Sequence, residues 1–493
     1  MPTSGSRMVA VELDEAPAAG PSEPPRRRPS RRAALWLGLA AGAVAAALVV
    51  TQGVLDRGER RRLDELADVR GLLQPVATPV RALWHLGGGR EVLTDVPVAG
   101  RVVAVRDAGG WGAPAGTDLS HPSLVGYDVR TGDEAWRTPF PLDDADAVAV
   151  ATGAPSVSRV RCVALRQARL LCALTNARLV GTRTAVVDGI DGRVVATRPL
   201  PPDAAWTTSG AALVVATSAP GPDPADVVWR VTATDASSGE VLWDARTPVV
   251  RRVDRVVPGS RDVDSSALLS ARDGRVLLVH SAHLWVLDGG RLVRDAGVGV
   301  DGFAELGPGG TVVWQPVSQP ADIPGALLTA DGRRVRVHET LLDPTVDDST
   351  ARDLVFLTDT VRSGALVVRD RGTGTVRWQA DGLTGGPVVL DGSVTVGTGT
   401  GARSYDAATG ELRWTAVTGE RAAYVGTDGR SIVVLTTDGT LHGLDLDDGA
   451  PRWQVDASRV LPAPAGALGQ VTAWDGHLLL RGLDGSATLL AAG

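Results

Sequence analysis

The sequence predicts an all-β propeller, a closed ring of four-stranded blades, preceded by one transmembrane helix. Two observations carry the ring. A nine-residue pattern, aspartate, four on a glycine, four on a tryptophan, returns as Asp128–Gly132–Trp136, Asp235–Gly239–Trp243, Asp370–Gly374–Trp378, Asp406–Gly410–Trp414 and Asp445–Gly449–Trp453, with Thr or Ser before the glycine in the first four. The last three copies begin 36 and 39 residues apart, the length of one blade and too short for an independent domain. A third observation, an uncharged stretch over residues 33–55, predicts the helix.

From the N-terminus, residues 1–32 are rich in Pro, Ser, Ala and Arg and hold too few apolar side chains to fold, so they read as a short disordered cytoplasmic tail. Residues 33–55 would form a helix of roughly 34 Å, enough for a bilayer core of about 30 Å. Arg26, Arg27, Arg28, Arg31 and Arg32 precede this span without acidic residues among them, whereas Arg57, Arg60, Arg61 and Arg62 follow it interleaved with Asp56, Glu59, Asp64 and Glu65. The basic bias places the N-terminus in the cytoplasm and the remainder outside. Twin arginines at 31–32 resemble a Tat-type signal, but the apolar stretch is long for a signal peptide, and the expectation is an uncleaved anchor. Residues 56–79 have helix-forming, mixed-charge composition up to Pro75 and Pro79 and read as a stalk, leaving 80–493 for the propeller.

Each repeat copy has a local rationale. In DASSGEVLW, DRGTGTVRW or DAATGELRW a strand precedes the Asp and a second strand carries the Trp; Asp and Thr or Ser bond turn amides, and Gly supplies the positive φ of a tight reversal. A large indole at the same place in every hairpin implies a repeated packing slot between neighbouring blades. Weaker copies lie between: Asp188 and Gly192 followed by Ala196 in place of Trp, VLDGGRLV at 286–293, and TADGRRVRV at 329–337. Arg81–Ala82–Leu83–Trp84 reads as a Trp-bearing strand without its blade, expected to close the ring against the C-terminal strands and so remove exposed edges. The expected number of blades is eight, within a range of seven to nine, since two weak copies could share a blade.

These motifs resemble the repeat of pyrroloquinoline-quinone (PQQ) dehydrogenases and their non-catalytic relatives, Ala-x-Asp-x-x-Thr-Gly-x-x-x-Trp; DAATGELRW at 406–414 is nearly a consensus copy. The resemblance covers roughly residues 80–493 and implies that each Trp docks on the adjacent blade. It resembles most a non-catalytic, membrane-anchored member of actinobacterial type, the arginine-only basic complement being the mark of a GC-rich genome.

Chemistry is sparse. All 50 basic residues are arginine, which excludes Walker A loops, Schiff-base lysines and serine–lysine dyads. Of the seven histidines only His280 and His283 are neighbours, a poor metal site without further ligands. Asp445, Asp447 and Asp448 lack the glycine and distal glutamate of an EF-hand and read as turn formers. No metal or cofactor is expected. Net charge is −7 with scattered arginines, so no nucleic-acid partner is expected either. Cys162 and Cys172, the only cysteines, would face one another in a hairpin centred on Gln167 and could form a disulfide in an oxidising compartment; a pair of small buried hydrophobes is the alternative.

Two function classes follow. A quinoprotein dehydrogenase would, by the resemblance, hold PQQ over calcium on the ring axis and carry a disulfide between adjacent cysteines; this chain has no adjacent cysteines and only three Phe and three Tyr. The favoured class is a membrane-anchored extracytoplasmic scaffold that binds a protein, peptide or cell-envelope ligand. Its candidate surfaces are the Gly-, Pro- and Asp-rich loops at 107–122 and 217–227, and the side of the ring bearing the weak copies.

Overall fold

The computed structural model describes residues 69–491 except 77–79, 88–90, 93–96, 107–121, 144–145, 147–158, 176–181, 202–203, 224, 252–266, 281, 299–301, 317–323, 360–363, 462–467 and 484–485, together with 51, 57–58 and 61–67. Two compact units result, Met1–Glu65 and Leu66–Gly493. The apolar stretch 33–55 falls almost wholly outside the described residues, among which no helix is long and apolar enough to cross a membrane.

The second unit is a propeller of nine antiparallel blades. In chain order these are blade 1 (91–139), blade 2 (159–200), blade 3 (205–251), blade 4 (268–297), blade 5 (302–337), blade 6 (339–380), blade 7 (388–417), blade 8 (422–456) and blade 9 (468–491 with 81–86). The count therefore settles at nine rather than eight, because the weak copies VLDGGRLV and TADGRRVRV each belong to a separate four-stranded sheet. In blade 9 the outer strand is Arg81–Leu86, which pairs antiparallel with Ala487–Ala491.

Burial follows strand position. The second and third strands are nearly all buried, as in Ser431–Thr436 and Thr440–Asp445, while outer strands alternate, as in Val241–Arg246 and Arg291–Gly297. This is the pattern of sheets packed on both faces at the centre and wetted at the rim. Among the described residues nine hydrophobic clusters hold the ring, one between each pair of neighbouring blades. The cluster of Trp84, Leu479 and Leu489 with Val102, Val125 and Tyr127 joins blade 9 to blade 1.

The motif turns share one geometry. The backbone N–H of Gly132, Gly192, Gly239, Gly374, Gly410 and Gly449 donates to the carbonyl of the Asp four residues earlier at 2.8–3.1 Å. In the same hairpins the Asp N–H reaches the carbonyl five residues on, and a one-residue bulge follows before the Trp position. These turns and those between first and second strands lie at one end of every blade, hereafter the motif end.

Candidate interaction surface at the central channel

The repeat residues are committed to packing. Trp84 donates from Nε1 to the carbonyl of Val129, Trp136 to Gly189, Trp378 to Ala407 and Trp414 to Leu446, at 2.7–3.0 Å. Each acceptor directly follows the motif Asp of the next blade. The motif glycine there is needed twice, for its positive φ and for contact: a Cβ on Gly132 would lie 2.4 Å from Trp84 Cβ, and one on Gly410 2.4 Å from Trp378 Cγ. The motif carboxyls fasten their own turns and sit below the ordinary carboxylate range. The first cause is the amide of Arg130 at Asp128, of Ser238 at Asp235 and of Asp447 at Asp445, and the guanidinium of Arg377 at Asp370 and of Arg413 at Asp406.

Three blades lack the Trp and fill the slot differently. In blade 2, Ala196 takes the position and the Arg198 guanidinium covers Gly239 instead. In blade 4, Arg294 stands opposite Val286 and donates to the carbonyls of Leu328, Thr329 and Ala330 in the turn of blade 5. In blade 5, Val335 packs against Gly374. Arginine at 294 thus reaches, by charge-assisted hydrogen bonds, the turn that an indole N–H reaches elsewhere.

The inner strands bounding the channel are unequally covered. On blades 7 and 8 they are buried, because two segments of the chain lie on them. Val346–Asp347, from the connection between the first two strands of blade 6, pairs parallel with the inner strand of blade 7, and Thr345 Oγ1 donates to Val425 of blade 8 at 3.1 Å. Part of the segment expected as a stalk packs beside it. Leu73 N–H donates to Thr427 at 2.9 Å, Gln74 to Gly476 at 2.7 Å and Val76 to the Asp428 carboxylate at 3.1 Å, with Leu66, Leu73 and Val80 buried. Gly71 is in contact with the Thr345 carbonyl, where a Cβ would not fit.

By contrast, among the described residues no strand is added to the inner edges of blades 3, 4 and 5. Their inner strands carry half-buried Trp206, Leu268 at 51 % exposure and Phe303 at 39 %, all near the strand starts, at the end away from the motif turns. The Arg161 guanidinium, from the inner strand of blade 2, lies over the Trp206 ring at 5.8 Å. Further along, Arg272 pairs with Asp343 at 2.6 Å, and burial, then the Asp343 charge, pushes the Glu305 carboxyl up.

The other candidate residues resolve as follows. Residues 107–121 lie outside the described residues. Residues 217–223 and 225–227 lie at the tip of an extended hairpin, Ala212–Pro220 with Asp226–Asp235, flanked by Val250–Arg251, with 224 outside the described residues. His280 and His283 are cross-strand neighbours that pack on Trp229 and Trp285, with ring centroids at 5.1 and 5.9 Å. Asp445 and Asp448 accept turn amides of Asp447 and Ala450 at 2.8 Å. Among the described residues no three His, Cys, Asp or Glu side chains are grouped to hold a metal ion. Cys162 and Cys172 are directly opposite in blade 2, Cα atoms 4.0 Å apart, and form a disulfide. The inner wall escaped the sequence reading; its signal, apolar residues opening consecutive inner strands, is readable only once blades are delimited.

Residues 362–490 match the family model described as outer membrane protein assembly factor BamB. The chain is similar to the crystal structure of BamB from Moraxella catarrhalis, at 16 % identity over 84 % of this chain and 99 % of that one, with a TM-score of 0.41. It is also similar to the computationally designed Ika8 protein, at 13 % identity, 83 % and 99 % coverage and a TM-score of 0.41. The C-terminal WD40 domain of Sif2 matches at 11 % identity, 84 % and 99 % coverage and a TM-score of 0.42. No curated protein sequence matches the chain. The BamB-type model thus spans the last blades, and the Asp–Gly–Trp turn that it covers recurs from Asp128 to Asp445 around a β-propeller of PQQ-like repeats.

Proposed function

We propose that this propeller is a non-catalytic protein-binding scaffold, held at the cell membrane by residues 33–55 with its blades outside the cytoplasm. The observation that carries the reading is the fate of the repeat residues: the motif aspartates are bound within their own turns and the docked tryptophans in the next blade. Among the described residues, what remains to recognise anything is surface, namely the hairpin of Ala212–Pro220 with Asp226–Asp235 and the inner wall of blades 3–5. The matched family model is named for an assembly factor, a role exercised through other proteins. The uncharged length of 33–55 supports the anchor, and the disulfide supports an oxidising compartment.

The test is a calorimetric titration of the full-length protein in detergent with PQQ and calcium, followed by a dye-linked alcohol oxidation assay. Silence in both, with a discrete protein photocrosslinked in native membranes from a probe residue at Pro220, is the expected result. Binding with turnover would make this a quinoprotein dehydrogenase. Recovery of the protein in the soluble fraction would remove the anchor.

A further inference from the structure

We infer that the inner wall of blades 3–5 is a docking site for an extended, apolar and acidic segment of a partner protein. The inference rests on the scaffold reading and names the site and the chemistry of its occupant.

The molecule shows on blade 7 what an occupied inner strand looks like. There Val346–Asp347 adds to the free edge of Val388–Leu390, Val346 is fully buried, and Asp347 points to solvent. The Asp348 carboxylate completes the attachment by accepting the Asp391 amide at 2.6 Å. The covering segment is therefore extended, apolar toward the blades and acidic. The inner strands of blades 3, 4 and 5 pair on one side only among the described residues, with Ala212–Pro220, Arg275–His280 and Val312–Pro316. Each has an edge that no other strand joins among the described residues, the template on which a further strand adds.

Side chains set the chemistry. Trp206, Leu268 and Phe303, near the starts of three consecutive inner strands, each offer apolar surface to a side chain of such a segment. Arg161 forms no ion pair among the described residues; its contact is the Trp206 face, which orients the guanidinium and leaves its donors for a carboxylate. Deeper in the channel, Glu305 beside Asp343 sets a limit to how far an acidic segment can enter.

The experiment uses full-length protein in detergent and two fluorescent peptides, one alternating leucine with aspartate and one alternating leucine with arginine, read by anisotropy. The acidic peptide is expected to bind, to weaken about ten-fold or more in Leu268→Ser/Phe303→Ser, and to lose its advantage over the basic peptide in Arg161→Glu. Leu412→Ser, on the outer strand of blade 7, controls for loss of exposed apolar surface elsewhere and should leave binding unchanged. Equal binding by wild type and the wall variants, preference for the basic peptide, or no binding of either would overturn the site. Photocrosslinking from Pro220 separates this failure from that of the wider reading, because a partner captured there while both peptides fail leaves the scaffold standing and removes the channel site alone.

Discussion

The indole N–H of Trp84 donates to the Val129 carbonyl at 2.7 Å, bridging the outer strand of blade 9 to the motif turn of blade 1. The ring is thereby locked where its two chain ends meet. Trp84 is 6 % exposed and also packs with Val102, Tyr127 and Leu489. Trp84→Ala should lower unfolding stability by about 3–5 kcal/mol, the range for a buried large aromatic, whereas Trp84→Phe keeps most of the packing and should lose about 1 kcal/mol for the hydrogen bond, with a further loss from reduced volume. Urea denaturation of the pair checks this. Equal, small losses would mean that the seam does not limit unfolding.

Glycine at the motif position answers two demands that can be separated. Gly274, in the turn between the first strands of blade 4, has φ +78° with open space around its Cβ position, so Gly274→Ala should cost about 1 kcal/mol for backbone strain. Gly132 has φ +73° and meets Trp84 as well, so Gly132→Ala should cost about 1–3 kcal/mol beyond that. Comparable thermal shifts for the two variants would show that blade 1 moves away freely from Trp84.

Arg294 makes a third case. Its guanidinium reaches three carbonyls of the blade 5 turn while burial pushes its pKa down, so the charge is held by the turn that it secures. Arg294→Met, which keeps the stem and removes the donors, should cost about 1.5–3 kcal/mol, measured by chemical denaturation. Arg294→Lys should recover only part, because a compact ammonium lacks the planar span of the guanidinium across these acceptors. Full recovery by lysine would reduce the role of Arg294 to charge alone.

Motif spacing made the repeat and the fold class legible, since Asp, Gly and Trp act within one hairpin and its neighbour. Blade count was less legible: at 294 and 335 the Trp slot is filled by Arg and Val, which carry no signature outside the structure. The described part of the stalk expected at 56–79 was hidden for another reason. Its composition is that of a linker, and its partners are remote, Val76 meeting Asp428 across 352 residues. The inner wall shares this property, because coverage of blades 7 and 8 depends on a connection in blade 6 and on the N-terminal segment together.

Acid should loosen the motif turns. Asp128, Asp235, Asp370, Asp406 and Asp445 are all held below the unfolded value of about 3.9. A folded pKa below the unfolded one means that these groups contribute stability fully above the unfolded value and lose it as pH falls toward the folded value. Urea midpoints should therefore hold steady from neutrality to near pH 5 and drop below about pH 4. Each contribution is screened by solvent at these exposed turns, so the effect belongs to the set. Asp406→Asn, which still accepts amides through its carbonyl, should make the drop shallower, and an unchanged slope would assign acid sensitivity to other carboxyls.

The disulfide of blade 2 links residues 10 apart in a single hairpin and both cysteines are buried. Closing so short a loop stabilises by roughly 2–3 kcal/mol in the chain-entropy account. Cys162→Ala/Cys172→Ala should lower stability by about that amount while leaving the ring closed, since the cluster between blades 1 and 2 draws mainly on Val103, Leu124, Leu170 and Val187. Native protein should resist thiol alkylation until it is both unfolded and reduced. Alkylation of unfolded protein before any reductant is added would show that the two thiols are not joined in the cell, and would remove the disulfide as support for an extracytoplasmic propeller.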